Sequence, residues 1–268
     1  MPYIPRRKKK DEKEKEKEDN AEKEAFKKIQ AKPVDIDLLK LEKAYAELKE
    51  SHQKIQETHY EMILRLAIAA EFKDPDTGQH ILRIGDYSTA IARQIKLSAH
   101  DLEILRYASP MHDIGKIGIP DAILQKPAKL NADEWRIMEQ HTVIGAQIFK
   151  SAQSPFLRAV SEIALTHHER FDGRGDPNGI PGGKIPIFGR IVAVADIFDA
   201  LVSKRCYKEA WPFEDGVEYV ESLSGSHLDP DLVGAFIKAQ EEIRSIYQAN
   251  KSINEFVKDF HETLESKD

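Results

Sequence analysis

The sequence predicts an all-α protein, and three observations lead to this fold class. Apolar residues recur three and four positions apart over most of the chain, which is the period of an amphipathic helix. Good N-cap residues, Ser98 and Asn131, stand directly before two of these periodic segments. No two segments show the alternating pattern and turn residues of a strand pair. We therefore expect helices joined by loops, without a sheet.

The N-terminal part of the chain divides into a charged tail and a long helix. Residues 1–30 interleave lysine and glutamate with few apolar side chains, so we expect either a disordered tail or a frayed, solvated helix. Residues 31–66 predict a coiled-coil-like helix with a heptad stripe. The members of the stripe are Val34, Leu38, Leu41, Tyr45, Leu48, His52, Ile55, His59, Met62 and Leu66. A parallel homodimer is the preferred use of this stripe, and packing on the chain's own helical domain is the alternative.

Turn residues end the long helix, and further helices follow. Asp74-Pro75-Asp76-Thr77-Gly78 disfavours helix, so the first helix should stop near Lys73. Further helices are expected from about Gln79, after Ser98, and over Ala132–Lys150, Pro155–His168, Gly189–Lys204, Phe213–Leu223 and Pro230–Gln248. In the helix after Asn131, the predicted buried residues are Trp135, Met138, Ile144 and Ile148. The Gly- and Pro-rich stretch Phe171–Pro186 predicts a functional loop.

Composition limits the class of function. The chain has 268 residues, of which 41% are hydrophobic, enough for a sizeable core. Its single cysteine, Cys206, excludes an intramolecular disulfide, and the charged N-terminus lacks an apolar signal segment, so we expect a cytoplasmic location without a membrane span. A net charge of -6 argues against a nucleic-acid polymer as partner. A small phosphorylated ligand held by metal ions remains compatible with this charge.

The chemistry of the chain concentrates around His112, Asp113 and Lys116. Adjacent helical side chains point roughly 100° apart, so His112 and Asp113 can address one point only at a helix end or between two ions. The candidate metal ligands are His80, His112, Asp113, His141, His167, His168 and Asp196. A single histidine such as His141 is more often a core residue than a ligand, but seven such positions favour a centre of at least two metals. Imidazole with carboxylate suits iron, manganese or zinc.

These residues stand in four sequence motifs: His112-Asp113-Ile114-Gly115-Lys116, His167-His168-Glu169-Arg170-Phe171-Asp172-Gly173-Arg174-Gly175-Asp176-Pro177, the run from Gly189 to Leu201, and Ser203-Lys204-Arg205-Cys206-Tyr207-Lys208. Together, the motifs resemble the HD-GYP family of HD-domain phosphohydrolases. The resemblance covers roughly residues 69–236. It implies an HD-domain helical bundle with the HD-GYP C-terminal extension over residues 67–250, preceded by the long helix and followed by a polar helix over residues 251–268.

The resemblance also implies an activity and roles for individual residues. The family hydrolyses cyclic di-GMP with two or three divalent ions, iron or manganese. The seven His and Asp candidates match its metal ligands, Asp113 and Lys116 match its catalytic groups, and Lys116, Arg205 and Lys208 match groups that contact the dinucleotide. In this reading, a hydroxide that bridges two ions attacks phosphorus, and the product is pGpG or, after a second round, GMP.

Two positions depart from the family pattern. Gly175-Asp176-Pro177, expected to contact the dinucleotide, stands where the family has Gly-Tyr-Pro. The added negative charge beside a dianionic ligand should weaken ligand binding or alter the protein partner that this loop meets. Asp76 lies four residues before His80, where three-metal members carry a glutamate, and it is either a third-metal ligand or a turn residue. Two other functions therefore stay open: a metal-containing cyclic di-GMP receptor or scaffold with little turnover, and an HD nucleotidase acting on other nucleotides.

Overall fold

The computed structural model describes residues 38–71, 79–204 and 209–249, and it confirms the all-α fold class. The α-helices are α1 Leu38–Glu71, α2 Gln79–Gln94, α3 Ala99–Ala108, α4 Asp121–Leu124, α5 Ala132–Ile148, α6 Pro155–Thr166, α7 Ile187–Val202, α8 Phe213–Ser222, α9 Pro230–Lys238 and α10 Gln240–Gln248. Short 3₁₀ helices span Ser109–Met111, Ile114–Gly118 and Gly182–Lys184. Within the described ranges, strand-like pairing is limited to one isolated bridge between Ser224 and Leu228.

The chain divides into two compact units, residues 1–55 and 56–268. In the first unit, the described part is the N-terminal half of α1, where the stripe residues Leu41, Tyr45 and Leu48 are 56–70% exposed. In the second unit, Leu64 on α1 is fully buried, and Tyr60 stacks on Tyr107 with ring centroids 3.6 Å apart. Within the second unit, the buried face of α1 thus excludes the stripe residues Met62 and Leu66, which are 51% and 56% exposed.

The core of the second unit is built around α2 and α7, which pack against each other. Tyr87 of α2 and Phe198 of α7 are fully buried and meet edge to face. Phe198 also contacts Phe213 and Phe236 from α8 and α9. Because both central helices carry candidate metal ligands, His80 and Asp196, this core fixes the relative position of two parts of the site.

The predicted caps of α3 and α5 are confirmed. The Ser98 hydroxyl accepts a hydrogen bond from the Asp101 amide at 3.1 Å. Asn131 and Glu134 form a full capping box at α5, in which the Asn131 side chain accepts from the Glu134 amide and the Glu134 carboxylate accepts from the Asn131 amide. These bonds satisfy backbone donors that a helix start otherwise leaves unpaired.

Two details of the predicted helices are wrong. Trp135 and Ile148 on α5 are 55% and 49% exposed, because the buried face of this helix is formed by His141, Thr142 and Gly145. The predicted helix Pro230–Gln248 is two helices, since Ala239 adopts ψ near 3° and interrupts it. The tail over residues 1–30, the turn after Lys73 and the helix over residues 251–268 lie outside the described residues. None of the described helices is both long enough and apolar enough to cross a bilayer.

Candidate metal centre

The seven predicted ligands come from five segments of the second unit. His80 lies in the first turn of α2, and Asp196 lies in α7. His112 and Asp113 stand between the first two 3₁₀ helices, and His141 lies in α5. His167 and His168 follow directly on the end of α6. A site built from helix ends and helix faces in this way is held by the packed core rather than by a single loop.

The structure brings all seven residues together in two groups. Asp113, His141, His167 and His168 offer one ligand atom each, and these atoms lie within 4.8 Å of one another. His80, His112 and Asp196 form a second group on the same criterion. The sequence alone suggested a shared centre but did not divide its members, because the division depends on how α2, α5 and α7 pack.

Asp113 connects the two groups through its two carboxylate oxygens. Oδ1 lies 3.3 Å from His141 Nε2 and 3.6 Å from His167 Nε2. Oδ2 lies 3.4 Å from His112 Nε2, and the Lys116 ammonium is 2.7 Å from the same oxygen. Ligand atoms that share an ion at 2.0–2.2 Å lie roughly 3 to 3.5 Å apart. The spacing around Asp113 therefore fits a carboxylate that bridges two ions.

The imidazole rings are held with Nε2 facing the centre. Nδ1 of His112 donates to the Ser109 carbonyl at 3.0 Å, and Nδ1 of His141 donates to the Met138 carbonyl at 2.7 Å. Nδ1 of His167 likewise donates to backbone carbonyls of α6. A carbonyl oxygen only accepts, so these rings carry their proton on Nδ1 and present the Nε2 lone pair, which is the metal-binding form.

Unsatisfied buried atoms provide a test of whether a cation fits. Three buried atoms form no hydrogen bond with any residue that the structure describes: Nε2 of His141, Nε2 of His167 and Oδ1 of Asp113. Buried polar atoms are normally paired, because each unpaired one costs free energy. Three such atoms that face one another, two with lone pairs and one with negative charge, fit a bound divalent cation.

The pKa values of the cluster favour the forms that bind metal. Burial lowers the pKa of His167, and burial together with neighbouring histidines lowers the pKa of His168 to about 3, so both rings are neutral near pH 7. Burial acts to raise the pKa of Asp113, but the nearby charges of Lys116 and His112 outweigh it, and the pKa lies well below its usual range. His167 and His168 are thus neutral, and the Asp113 carboxylate is ionised.

Asp199 holds the His80 ring by a hydrogen bond to Nδ1, a role not predicted from the sequence. Asp199 is fully buried on α7, and its Oδ2 accepts a hydrogen bond from His80 Nδ1 at 2.7 Å. Arg83 donates to both carboxylate oxygens, at 2.5 and 2.9 Å. Burial acts to raise the pKa of Asp199, but the hydrogen bonds from His80 and Arg83 lower it overall. The signal in the sequence is the spacing, since Asp199 lies three residues after Asp196 and so near the same helix face.

The Gly-rich loop is fixed to the site by Glu169, another residue without an assigned role. Glu169 is 2% exposed, and its carboxylate accepts hydrogen bonds from the amides of Asn178 and Ile180, both at 2.8 Å. A Cβ on Gly175 would lie 2.2 Å from the Arg170 amide nitrogen, so only glycine allows this close approach. Gly175 thus shapes the loop, while Asp176 reaches the cavity described next.

A cavity of about 290 Å³ opens beside the cluster. Its described lining combines metal-centre residues with apolar and acidic side chains: Asp113, Lys116, Leu124, Trp135, Met138, Glu139, His141, His168, Asp176, Asp196 and Ala200. Another cavity, of about 700 Å³ between α5 and α6, includes none of the seven predicted ligands in its lining. Chemistry rather than size therefore identifies the smaller cavity as the candidate active site.

Close packing positions the two halves of this site. A Cβ on Gly115 would lie 1.9 Å from the His141 carbonyl oxygen, so glycine is required where the 3₁₀ helix after Asp113 crosses α5. This contact brings Asp113 to His141. Three predicted site residues, Asp76, Arg205 and Lys208, lie outside the described residues.

Comparisons with known proteins agree with this geometry. Residues 40–232 match the HD domain family. The chain is 46% identical over 192 residues to a cyclic di-GMP phosphodiesterase of Thermotoga maritima, covering 72% of this chain and 52% of that protein. It is 40% identical over 196 residues to the cyclic di-GMP phosphodiesterase response regulator RpfG of Xanthomonas campestris, covering 73% and 52%. It is 41% identical over 192 residues to 3′3′-cGAMP-specific phosphodiesterase 2 of Vibrio cholerae, covering 72% and 37%.

The chain thus spans about half or less of the length of these curated relatives. Among solved structures, a cyclic GMP-AMP-specific phosphodiesterase of V. cholerae, V-cGAP3, shares the fold with a TM-score of 0.59 at 19% identity, covering 75% of this chain and 53% of that one. The family match, the curated relatives and the shared fold lead to one assignment. This chain belongs to the HD-domain phosphohydrolases and, within them, to the HD-GYP family.

Proposed function

We propose that this chain is a metal-dependent phosphodiesterase that hydrolyses cyclic di-GMP. The observation that carries the proposal is the meeting of two ligand groups at Asp113, beside Lys116 and at the edge of a cavity. One ion would be held by Asp113, His141, His167 and His168, and the other by Asp113, His80, His112 and Asp196. Iron or manganese suits this set of imidazoles and carboxylates. A third ion at Asp76 stays a prediction from the sequence.

The reaction breaks the bond between phosphorus and the 3′ oxygen. Water supplies the new oxygen on phosphorus, and the leaving 3′ oxygen takes up a proton, which gives linear pGpG with a free 3′ hydroxyl. Bound divalent ions lower the pKa of water and neutralise charge on phosphoryl oxygens. The Lys116 ammonium, with its side chain 15% exposed, lines the cavity and places a compact positive charge where a phosphate would gain negative charge. Arg205 and Lys208 remain the sequence-predicted contacts to the dinucleotide.

The Asp176 carboxylate lines the same cavity. The carboxylate places negative charge beside the expected position of an anionic ligand. This departure from the family motif supports a second candidate function, a cyclic di-GMP receptor with little turnover. A cytoplasmic location is part of the proposal for either function and is supported by the single cysteine.

A turnover assay on anaerobically purified protein tests the proposal. We expect cyclic di-GMP to be converted to pGpG, and Lys116→Met to lower kcat by about 100-fold or more, because it removes a charge that stabilises the transition state. Lys126→Met is the matched control, since Lys126 pairs with Glu134 and neither residue is among those that line the cavity. Tight binding of cyclic di-GMP without pGpG would favour the receptor, and absence of both binding and turnover would contradict both functions.

We also propose that the heptad stripe of α1 forms a parallel homodimer. Leu41, Tyr45, Leu48 and Ile55 are 52–70% exposed, and an exposed apolar stripe at heptad spacing is typical of a coiled-coil seam.

The dimer has its own test. We expect Leu41→Glu with Leu48→Glu to convert a dimer to a monomer in sedimentation-velocity experiments, because two charges would enter the seam. Ala46→Glu, an exposed position outside the stripe on the same helix, should leave the dimer intact. A monomeric wild-type chain at micromolar concentration would contradict this proposal.

A further inference from the structure

The cavity contains a feature that the metal centre and Lys116 do not use. Trp135 on α5 lines it, and the indole remains 55% exposed. No aromatic ring of the described chain packs against Trp135. A large exposed apolar surface in the wall of a ligand cavity favours a role in binding, because a ligand would remove it from water.

Three side chains of the cavity share one face of α5. Trp135, Met138 and Glu139 are spaced i, i+3 and i+4, so their side chains are neighbours about 5–6 Å apart at Cβ. Leu124 from α4 also lines the cavity. The α5 face therefore offers an aromatic plane, one apolar neighbour and one carboxylate within about one helical turn, and α4 adds a second apolar side chain.

The same helix carries the metal-centre residue His141 six residues after Trp135. Six residues correspond to about 9 Å along a helix axis. A ribose bridges a separation of this scale between a phosphate and its base in a nucleotide. A phosphate next to His141 and Lys116 would accordingly place a base over the indole.

The Glu139 carboxylate is available for the edge of such a base. Glu139 is partly buried, and no described residue forms a hydrogen bond or an ion pair with its carboxylate. A carboxylate accepts hydrogen bonds and donates none. The Watson–Crick edge of guanine presents two adjacent N–H donors, whereas the edge of adenine presents one donor and one acceptor, so a carboxylate matches guanine better.

We propose that Trp135 and Glu139 form a guanine subsite, in which the indole stacks on the base and the carboxylate accepts from its Watson–Crick edge. This inference rests on the proposed cyclic di-GMP hydrolysis and adds the residues that select the base.

Kinetics with matched tryptophan variants test the stacking. We expect Trp135→Leu to raise KM for cyclic di-GMP about tenfold with a smaller change in kcat, because base–aromatic stacking is lost. Trp135→Phe should restore most of the affinity. Trp211→Leu is the matched control, since Trp211 packs on Tyr219 and is not among the described cavity residues. An unchanged KM in Trp135→Leu, with turnover intact, would overturn the subsite and leave the proposed function standing.

Base selection tests Glu139. Gln offers one acceptor and one donor, which matches adenine, so Glu139→Gln should lower the preference for cyclic di-GMP over cyclic di-AMP by about 10- to 100-fold. An unchanged preference would overturn the role of Glu139. A loss of preference in Asp176→Asn but not in Glu139→Gln would overturn it as well, in favour of Asp176.

Fluorescence separates failure of the subsite from failure of the function. The chain has two tryptophans, so Trp211→Phe leaves Trp135 as the single indole. We expect rapid mixing with cyclic di-GMP to quench its emission before turnover. Quenching without pGpG would support the subsite while contradicting hydrolysis. Turnover without quenching would overturn the subsite alone, and absence of both would overturn the two proposals together.

Discussion

Replacing Asp113 with alanine should abolish metal loading and lower cyclic di-GMP turnover by about 1,000-fold or more. Asp113 is the residue whose two oxygens face both ligand groups, His141 and His167 on one side and His112 on the other. Its removal takes one ligand from each group at once. Metal content per chain and the rate of pGpG formation are the two measurements.

Two further variants make this prediction specific. Asp113→Asn keeps the volume but not the charge, so we expect it to lose most of the bound metal as well. Asp215→Ala removes an exposed carboxylate on α8 and should retain metal and activity. A folded Asp113→Ala chain with wild-type metal content and turnover would contradict the role of Asp113.

Asp199→Ala should destabilise the protein by about 3–5 kcal/mol, because Arg83 would be left as a partly buried charge without its carboxylate. The same change should weaken metal affinity by about 10- to 100-fold, since His80 would lose the acceptor that orients its ring. Urea unfolding of the metal-free chain measures the first effect, and metal titration measures the second.

A second buried ion pair provides the matched control for Asp199. Asp86 on α2 pairs with Arg106 on α3 at 2.9 Å, and both side chains are 6% exposed. Asp86→Ala should therefore lower the free energy of unfolding but leave metal affinity unchanged in the folded protein. Equal losses of metal affinity in Asp86→Ala and Asp199→Ala would show that the effect of Asp199 is only structural.

The sequence predicted the members of the centre because their chemistry is local. His112 with Asp113 and His167 with His168 are neighbours in the chain, and His80, His141 and Asp196 stand on otherwise apolar helical faces. The start of α5 was also predictable, since a capping box is a contact within four residues. These features do not depend on how distant helices pack.

The features that could not be predicted depend on tertiary packing. The periodicity of α5 indicated a buried Trp135, but the 3₁₀ helix after Asp113 covers another face of that helix and leaves the indole in the cavity. The pairing of Asp199 with His80 joins residues 119 positions apart. Likewise, only the packing of α2, α5 and α7 decides which ligands belong to which group.

The most direct test of the account is a crystal structure of the anaerobically purified chain with anomalous diffraction at the iron and manganese edges. We predict two ions bridged by Asp113, one bound by His141, His167 and His168 and the other by His80, His112 and Asp196. An ion-free cluster, or a single ion that leaves one of the two groups without metal, would contradict it.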